Sequence, residues 1–255
     1  IAVNKTGEKG KIMTDFLDSG SEVMYKFVEI ISYYAPIGLG CYMASLVGTL
    51  GEAIAVGFLK VTIVYFLVSI LFMFVFYTLY AYLSFGKLGV KAYWKNILPP
   101  AFTSLGTCSS AACVPVNIKA TKKMGVPSDI AEATISLGTS FHKDGSAIGS
   151  VFKIMFLVCF FGTSLNSFWS IGQVLGVSLI ATLLVTAVPI GGGTISEMLI
   201  LTLMGYPVAA LPILTIIATV IDAPATLLNV VGDSSCALMV TRVVEGRQGL
   251  KVKKN

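Results

Sequence analysis

Charged side chains are scarce in this sequence, at 12% of its 255 residues, and two long stretches contain none. These stretches are Val61–Gly86 and Ile154–Ser196. About 20 apolar residues suffice for a helix to cross a bilayer, and only helices and closed barrels satisfy their backbone hydrogen bonds in lipid. With a mean hydropathy of +0.85, the sequence predicts an all-α membrane protein with several spans.

Other absences exclude whole classes of function. The sequence has no Gly-x-x-x-x-Gly-Lys-Ser/Thr loop, so ATP-driven transport is not expected. It has no Gly-x-Ser-x-Gly elbow and one histidine, His142, which argues against a hydrolase. We therefore expect neither an enzyme nor an enzymatic cofactor. The five cysteines include no Cys-x-x-Cys pair and indicate neither a zinc site nor a disulfide framework.

The basic residues lie mostly between or beyond the apolar runs, so the net charge of +5 reflects membrane topology and does not indicate a nucleic-acid partner. The segment Ile97–Ile118 has lysines on both sides, and the nearest are Lys95 and Lys119. The positive-inside rule places both flanks in the cytoplasm. A re-entrant hairpin meets this condition, whereas a segment that crosses the membrane does not.

The second half of the chain has the opposite charge pattern. No Lys or Arg occurs between Lys153 and Arg242, so both flanks of Ser167–Met204 are predicted to lie outside the cell. The chain then returns through Val208–Val240 to a basic C-terminal tail, which we expect in the cytoplasm. The predicted location is the cell membrane, and the inner membrane in a cell that has two.

The two halves also share one order of features. In the first, Ser109–Pro115 is followed by Met124–Pro127 and by a helix interrupted at Lys143–Gly145. In the second, Thr186–Gly193 is followed by Met204–Pro207 and by a helix with carboxylates. Paired interrupted segments of opposite orientation are typical of secondary transporters. We predict an inverted repeat of a re-entrant helical hairpin plus an interrupted transmembrane helix; a plain bundle with kinked helices is the alternative.

This pattern divides the chain into two predicted parts. Residues 1–54 would form a scaffold-type helix that is first amphipathic and then spans the membrane. Residues 55–255 would form a transport domain. Its predicted order is a helix, hairpin 1, a broken helix, hairpin 2, a second broken helix and the basic tail.

The broken helices predict the chemistry of the ligand. Unpaired backbone groups at membrane depth are costly unless they line a cavity or bind a ligand. Free N–H groups at helix starts suit a carboxylate, and free carbonyls suit a cation. Intramembrane carboxylates at Asp144, Asp222 and Asp233 are a further sign of function, although a polar helix face in a protein cavity would also contain them. We expect a ligand with an anionic group that travels with a cation.

Four stretches carry a specific resemblance. They are Ser109-Ser110-Ala111-Ala112-Cys113-Val114-Pro115-Val116, Gly138-Thr139-Ser140-Phe141-His142-Lys143-Asp144-Gly145-Ser146, Val188-Pro189, and Asp222 through Asn229 to Gly232-Asp233. Together they resemble the dicarboxylate/amino acid:cation symporters, the glutamate transporter family. The resemblance runs from Met24 to Gly246 and covers the C-terminal part of the family's pattern. We find no counterpart of its upstream helices, which help to form the trimer scaffold and one cation site.

The resemblance implies symport of a substrate with a cation, chiefly sodium, and a homotrimer where the scaffold is complete. The implied substrate-binding residues are Ser109, Ser110, Ser146, Val188, Asp222, Thr226 and Asn229. The implied cation ligands are Gly138, Ser140, His142, Asp144, Asn229 and Asp233. By the same resemblance, Asp222 binds the substrate amine and Val188 belongs to the gate of the second hairpin.

Two departures from the family pattern bear on the substrate. The arginine that binds a side-chain carboxylate in acidic-substrate members is Ala225 here, and the arginine of the first hairpin is Cys108. Without a guanidinium, a second buried carboxylate has no charge-assisted partner. A small neutral amino acid such as serine, threonine or alanine is therefore favoured.

A third departure bears on the coupling ion. The family motif Asn-Met-Asp-Gly-Thr is His142-Lys143-Asp144-Gly145-Ser146 here. The Lys143 ammonium can replace a sodium ion beside Asp144, pair with an acidic substrate, or form only a local ion pair. His142 titrates near neutral pH when unperturbed, which allows proton coupling, or it is a hydrogen-bonded buried side chain. We predict weakened sodium dependence.

The sequence thus predicts alternating-access symport of a small neutral amino acid with a cation. The alternatives are an acidic amino acid or dicarboxylate symporter that uses Lys143, an ion channel, and a chain that does not transport without the missing scaffold.

Overall fold

The computed structural model describes residues 7–32, 52–187 and 192–250, together with the single positions 34, 37, 41, 44 and 48. The chain divides into two compact units, residues 1–49 and 50–255. This division lies a few residues before the predicted boundary between 54 and 55. The assignment of the two parts as scaffold and transport domain stays a prediction.

The first unit contains a short 3₁₀ turn at Gly7–Gly10 and helix α1 at Lys11–Ser32. Large apolar side chains of α1, such as Ile12 and Phe16, are exposed. Charged side chains of α1, such as Lys11 and Asp15, are exposed as well, and the amphipathic, scaffold-type role of this helix stays a prediction. Most of the part of residues 1–54 that is predicted to span the membrane lies outside the described residues.

The second unit begins with one long helical rod. Helix α2 at Glu52–Phe72 passes through a π turn at Met73–Tyr77 into α3 at Thr78–Asn96. The stretch Val56–Asn96 is long and apolar enough to cross a membrane. It kinks at Phe85–Gly86, where Gly86 has a φ of 59°.

The first hairpin consists of α4 at Leu98–Thr107 and α5 at Ser110–Lys123, which pack against each other. Its tip is Cys108, with a left-handed φ of 48°, and Ser109, whose Oγ accepts a hydrogen bond from the Ala112 N–H at 3.3 Å. Pro115 lies inside α5 and does not end the helix. The serine cap starts the helix earlier, and the proline removes one hydrogen bond without stopping it.

A broken helix follows the first hairpin, as predicted. Helix α6 at Ser128–Phe141 and helix α7 at Asp144–Phe160 are separated by His142 and Lys143. His142 is extended, with φ −91° and ψ 104°. This break places a histidine, a lysine and an aspartate at one point of the fold.

The second hairpin consists of α8 at Phe168–Ala187 and α9 at Gly192–Met204. These helices pack against each other. The predicted tip residues Val188 and Pro189 lie outside the described residues. A similar turn follows each hairpin: Gly125 and Gly205 have φ values of 98° and 74°, and a proline comes two residues later.

The last helix differs from the prediction. Helix α10 at Leu211–Val244 is continuous over 34 residues and contains Pro224, so the prediction of a second interrupted helix is wrong. A proline costs a helix one hydrogen bond, but packing along both sides can hold the helix together. Helix α10 packs against α2, α3, both helices of the first hairpin, α6, α7 and α9.

Polar side chains add to this packing. Three carbonyls of α10 accept hydrogen bonds from buried side chains of other helices: Leu228 O from Tyr77 at 2.9 Å, Val230 O from Asn117 at 2.7 Å, and Val231 O from Tyr93 at 3.1 Å. Two apolar clusters complete the core. One lies around α3, the first hairpin and α10, and the other lies between α7 and the second hairpin.

Candidate functional site

The start of α7 is bound to the middle of α10 through Asn229. Its Oδ1 accepts the N–H groups of Gly145 at 2.9 Å and Ser146 at 3.4 Å, and its Nδ2 donates to Ser146 Oγ at 3.1 Å. The predicted free N–H groups at this helix start are thus bonded within the chain. Two of the predicted substrate-binding residues, Ser146 and Asn229, are brought together.

Gly145 allows this close approach. A Cβ at position 145 would overlap the backbone carbonyl of Ala225 on α10. On the other side, the buried hydroxyl of Tyr65 donates to the Gly145 carbonyl at 2.7 Å. Sequence reasoning missed Tyr65 because an aromatic residue in an apolar span reads as lipid-facing or core.

The imidazole of His142 lies between two carboxylates. Its Nε2 is 3.1 Å from Asp144 Oδ2, and its Nδ1 is 3.2 Å from Asp233 Oδ1. The second contact lacks hydrogen-bond geometry, so Asp233 Oδ1 is buried with no hydrogen-bond partner among the described residues. The imidazole of His142, which carries a charge only when protonated, thus lies next to Asp144, whereas the ion pair with Lys143 that the sequence also allowed is not formed among the described residues.

Gly138 completes this cluster. A Cβ at position 138 would overlap Asp233 Oδ1, and the Gly138 carbonyl accepts the His142 N–H at 2.8 Å. Five of the six predicted cation ligands thus meet where the broken helix contacts α10, while Ser140 is exposed. In the described part of the chain, no three His, Cys, Asp or Glu side chains form a group that could hold a metal ion. A cation here would need backbone oxygens as further ligands.

Tyr77 also belongs to the cluster and was missed by sequence reasoning. Its hydroxyl lies 3.1 Å from Asp144 Oδ2 and 2.9 Å from the Leu228 carbonyl, and its one hydrogen can be donated to either oxygen. Tyr77 and His142 both pack closely against Gly232, and a Cβ at position 232 would overlap both side chains. The glycine therefore lets both side chains reach the carboxylates.

A cavity of about 170 Å³ lies between α7, α9 and α10. It contains two predicted substrate-binding residues, Ser146 and Asp222, and Asp222 is exposed to it. Its walls also carry Lys153 and Glu197, which the sequence did not single out as site residues. The cavity thus contains the Asp222 carboxylate of α10 next to the oppositely charged side chains of Lys153 and Glu197.

Lys153 and Glu197 form an ion pair across this cavity, with Nζ 3.2 Å from Oε1. Only 11% and 4% of these side chains are exposed. The other carboxylate oxygen of Glu197 accepts the hydroxyl of Thr215 at 2.7 Å. Lys153 bounds an uncharged run and was read only as a marker of topology, and Glu197 follows directly after that run.

The remaining predicted substrate-binding residues are more dispersed. Thr226 is buried on α10, one turn after Asp222. Ser109 and Ser110 are half-buried at the tip of the first hairpin. Val188 lies outside the described residues, so its place at the gate stays a prediction.

Comparison with known proteins identifies a family. The model of the sodium:dicarboxylate symporter family matches residues 1–243. Human excitatory amino acid transporter 2 is 28% identical over 245 residues, which are 92% of this chain and 41% of that protein. A putative sodium-dependent excitatory amino acid transporter of Caenorhabditis elegans is 24% identical over 253 residues, 96% of this chain and 45% of that protein.

A bacterial relative matches a shorter part. A C4-dicarboxylate transport protein of Burkholderia multivorans is 30% identical over 151 residues, 59% of this chain and 35% of that protein. The chain thus spans less than half the length of each of these curated relatives.

Proposed function

Because the chain belongs to the sodium:dicarboxylate symporter family, we propose that it forms the substrate- and cation-binding part of a secondary active symporter for a small neutral amino acid. Transport by this family is not enzymatic catalysis, and it takes place in a membrane. The observation that carries the proposal is the cavity in which Asp222 faces open space beside the paired Lys153 and Glu197.

The charges of this cavity favour a zwitterion. Its walls carry one positive side chain, Lys153, and two negative ones, Glu197 and Asp222. The Lys153 and Glu197 charges compensate each other, so the carboxylate of Asp222 is left for the ammonium group of a substrate. Ser146, Thr226 and Asn229 are the polar groups proposed to orient it, with Ser109, Ser110 and Val188 contributed by the two hairpins.

An acidic amino acid or a dicarboxylate is the second candidate, since the printed names of the relatives include excitatory amino acid and C4-dicarboxylate transporters. A second carboxylate on the substrate needs a cationic partner in a buried site. Ala225 cannot supply one, and Lys153 is bonded to Glu197. Lys143 at the break of the helix is the remaining cation proposed for this role.

The coupling cation is proposed to bind where the broken helix meets α10. Sodium is the family's coupling ion, and the buried Asp233 Oδ1 without a hydrogen-bond partner is an atom that a cation would satisfy. The carbonyls of Gly138 and Asn229 are proposed as further ligands. His142 beside both carboxylates supports the proposal that a side chain takes over part of the cation's role and weakens sodium dependence.

The membrane arrangement is also part of the proposal. Helices α4 and α9 have 10 and 13 residues, which is roughly 15 and 20 Å at 1.5 Å per residue, less than a hydrocarbon core of about 30 Å. Such short helices support re-entrant hairpins. The second hairpin would close over the substrate, the transport domain would then move to release it, and the basic tail would face the cytoplasm.

Uptake into proteoliposomes tests this proposal. Purified protein is first checked by gel filtration in detergent for trimers. Labelled serine and labelled aspartate are then offered under sodium, proton and null gradients. Saturable, stereospecific serine accumulation against its gradient is expected with an imposed cation gradient. Ion conduction without accumulation would favour a channel, and accumulation of aspartate alone would favour the acidic-substrate alternative.

A further inference from the structure

The ion pair between Lys153 and Glu197 is the feature of the cavity that the proposed binding of a zwitterion does not use. It joins α7 to α9, and Thr215 adds a contact from α10. Both carboxylate oxygens of Glu197 are therefore bonded. The pair shares its cavity with Asp222, so its charges lie beside the proposed substrate.

Stability alone does not explain such a pair. Removing two charges from water costs about as much as their attraction returns, and apolar residues of similar volume often replace a buried ion pair without loss. Much of this interface is already apolar, since the cluster between α7 and the second hairpin contains Ile154, Leu157 and Leu201. A charge pair in the wall of a ligand cavity is better explained by the ligand.

We propose that Glu197 is a specificity-determining residue that holds the Lys153 ammonium in an internal ion pair, so that the cavity rejects a second carboxylate on the substrate. This inference rests on the proposed function. With Lys153 bonded to Glu197, an additional carboxylate would meet the negative charges of Glu197 and Asp222. With Lys153 released, the same cavity would offer an ammonium to one end of a dicarboxylic amino acid and the Asp222 carboxylate to its amine.

The test is the ratio of aspartate affinity to serine affinity in the variant Glu197→Gln. Glutamine keeps the volume and can still accept a hydrogen bond from Thr215, but it removes the charge that holds Lys153. We expect the ratio to rise at least tenfold. The double variant Lys153→Met/Glu197→Gln carries neither charge and is expected to lose this gain.

The chain offers a matched control in Glu132. Its Oε1 is 2.6 Å from Lys122 Nζ in an exposed ion pair outside the cavity. Glu132→Gln is expected to leave the ratio unchanged, because it removes the same charge at a site away from the ligand. A ratio that rises equally in Glu132→Gln would assign the effect to net charge and overturn the inference.

Two further outcomes decide the inference. An unchanged ratio in folded Glu197→Gln, or a gain that persists in the double variant, overturns it. Should Glu197→Gln fail to fold, the shorter Glu197→Asp keeps the charge but withdraws it from Lys153; an intermediate gain supports the inference and no gain contradicts it.

Binding is measured by calorimetry in detergent in parallel with uptake, so that two failures can be told apart. If the unsubstituted protein binds serine but shows no serine uptake, the result counts against symport. The affinity ratios of the variants still decide the role of Glu197 in that case.

Discussion

Gly138 faces the carboxylate of Asp233 so closely that a Cβ at position 138 would overlap Oδ1. The missing side chain keeps a buried oxygen of Asp233 open beside the break between α6 and α7.

Substituting Gly138 by alanine tests this contact. The added methyl group must displace the Asp233 side chain, so we expect Gly138→Ala to lower the free energy of unfolding by about 1–3 kcal/mol and to weaken cation-dependent substrate binding. Thermal unfolding in detergent and serine binding at graded sodium concentrations measure the two effects. Gly176→Ala is the control, because a Cβ there meets nothing within 4 Å. Equal behaviour of the two variants would contradict the prediction.

Asn229 should be required for both stability and binding. Asn229→Ala leaves the N–H groups of Gly145 and Ser146 without their acceptor, and a buried unsatisfied donor costs about 1–3 kcal/mol. We expect a lower unfolding temperature and loss of serine binding. The control is Asn96→Ala, because Asn96 donates only to Ala92 O in its own helix at 2.8 Å. A serine affinity that survives in Asn229→Ala would show that the residue is structural only.

The double variant His142→Asn/Lys143→Met tests the coupling ion. It removes the imidazole from its place between Asp144 and Asp233, so that a sodium ion can bind to both carboxylates. We expect sodium to stimulate serine uptake about tenfold more than in the unsubstituted protein, which is about 1.4 kcal/mol of additional coupling. Uptake at graded sodium concentrations measures it.

Lys143→Met alone separates the two positions, because it keeps the imidazole. Uptake that is already fully sodium-driven in the unsubstituted protein, and is unchanged in Lys143→Met, is not assisted by a side chain. That result would contradict the proposal that a cationic side chain takes the place of a sodium ion.

The Tyr77 hydroxyl should stabilise the fold through its contacts near the Asp144 carboxylate. Tyr77→Phe removes the hydroxyl that lies near Asp144 Oδ2 and the Leu228 carbonyl, and we expect a loss of about 0.5–1.5 kcal/mol in the free energy of unfolding. Chemical denaturation in detergent measures it. Tyr80→Phe is the control, one turn further along at the start of α3, since its hydroxyl makes no hydrogen bond among the described residues. A loss of the same size there would show that the effect does not come from the hydrogen bonds of the Tyr77 hydroxyl.

The sequence predicted those parts of the fold that local chemistry determines. Hairpin 1, the break near Lys143 and the turns at Gly125 and Gly205 all follow from small residues, glycine and proline at fixed places. Family membership was also predicted correctly. The interruption predicted for the last helix was wrong, because α10 runs through Pro224 and is supported by packing on most sides, and this support is not visible in the local sequence.

The candidate site was predicted less completely. The carboxylates were found because charges stand out in apolar helices. Tyr65 and Tyr77 were not, since nothing local distinguishes a tyrosine that reaches a distant carbonyl from one that faces lipid. Lys153 and Glu197 are separated by more than forty residues, so only the packing of α7 against the second hairpin reveals that they meet.

The central position of α10 limits how the bound ligand can be released. This helix carries Asp222, Asn229 and Asp233 and is attached by hydrogen bonds to the π turn at Met73–Tyr77, to α3, to α5 and to α7, so none of these elements can slide past it without breaking buried contacts. The second hairpin packs on one flank of α10 through α9, where Thr215 of α10 donates a hydrogen bond to Glu197. If the chain transports as proposed, release of the substrate would begin with separation of α9 from α10, or the whole transport domain would move with the substrate still enclosed.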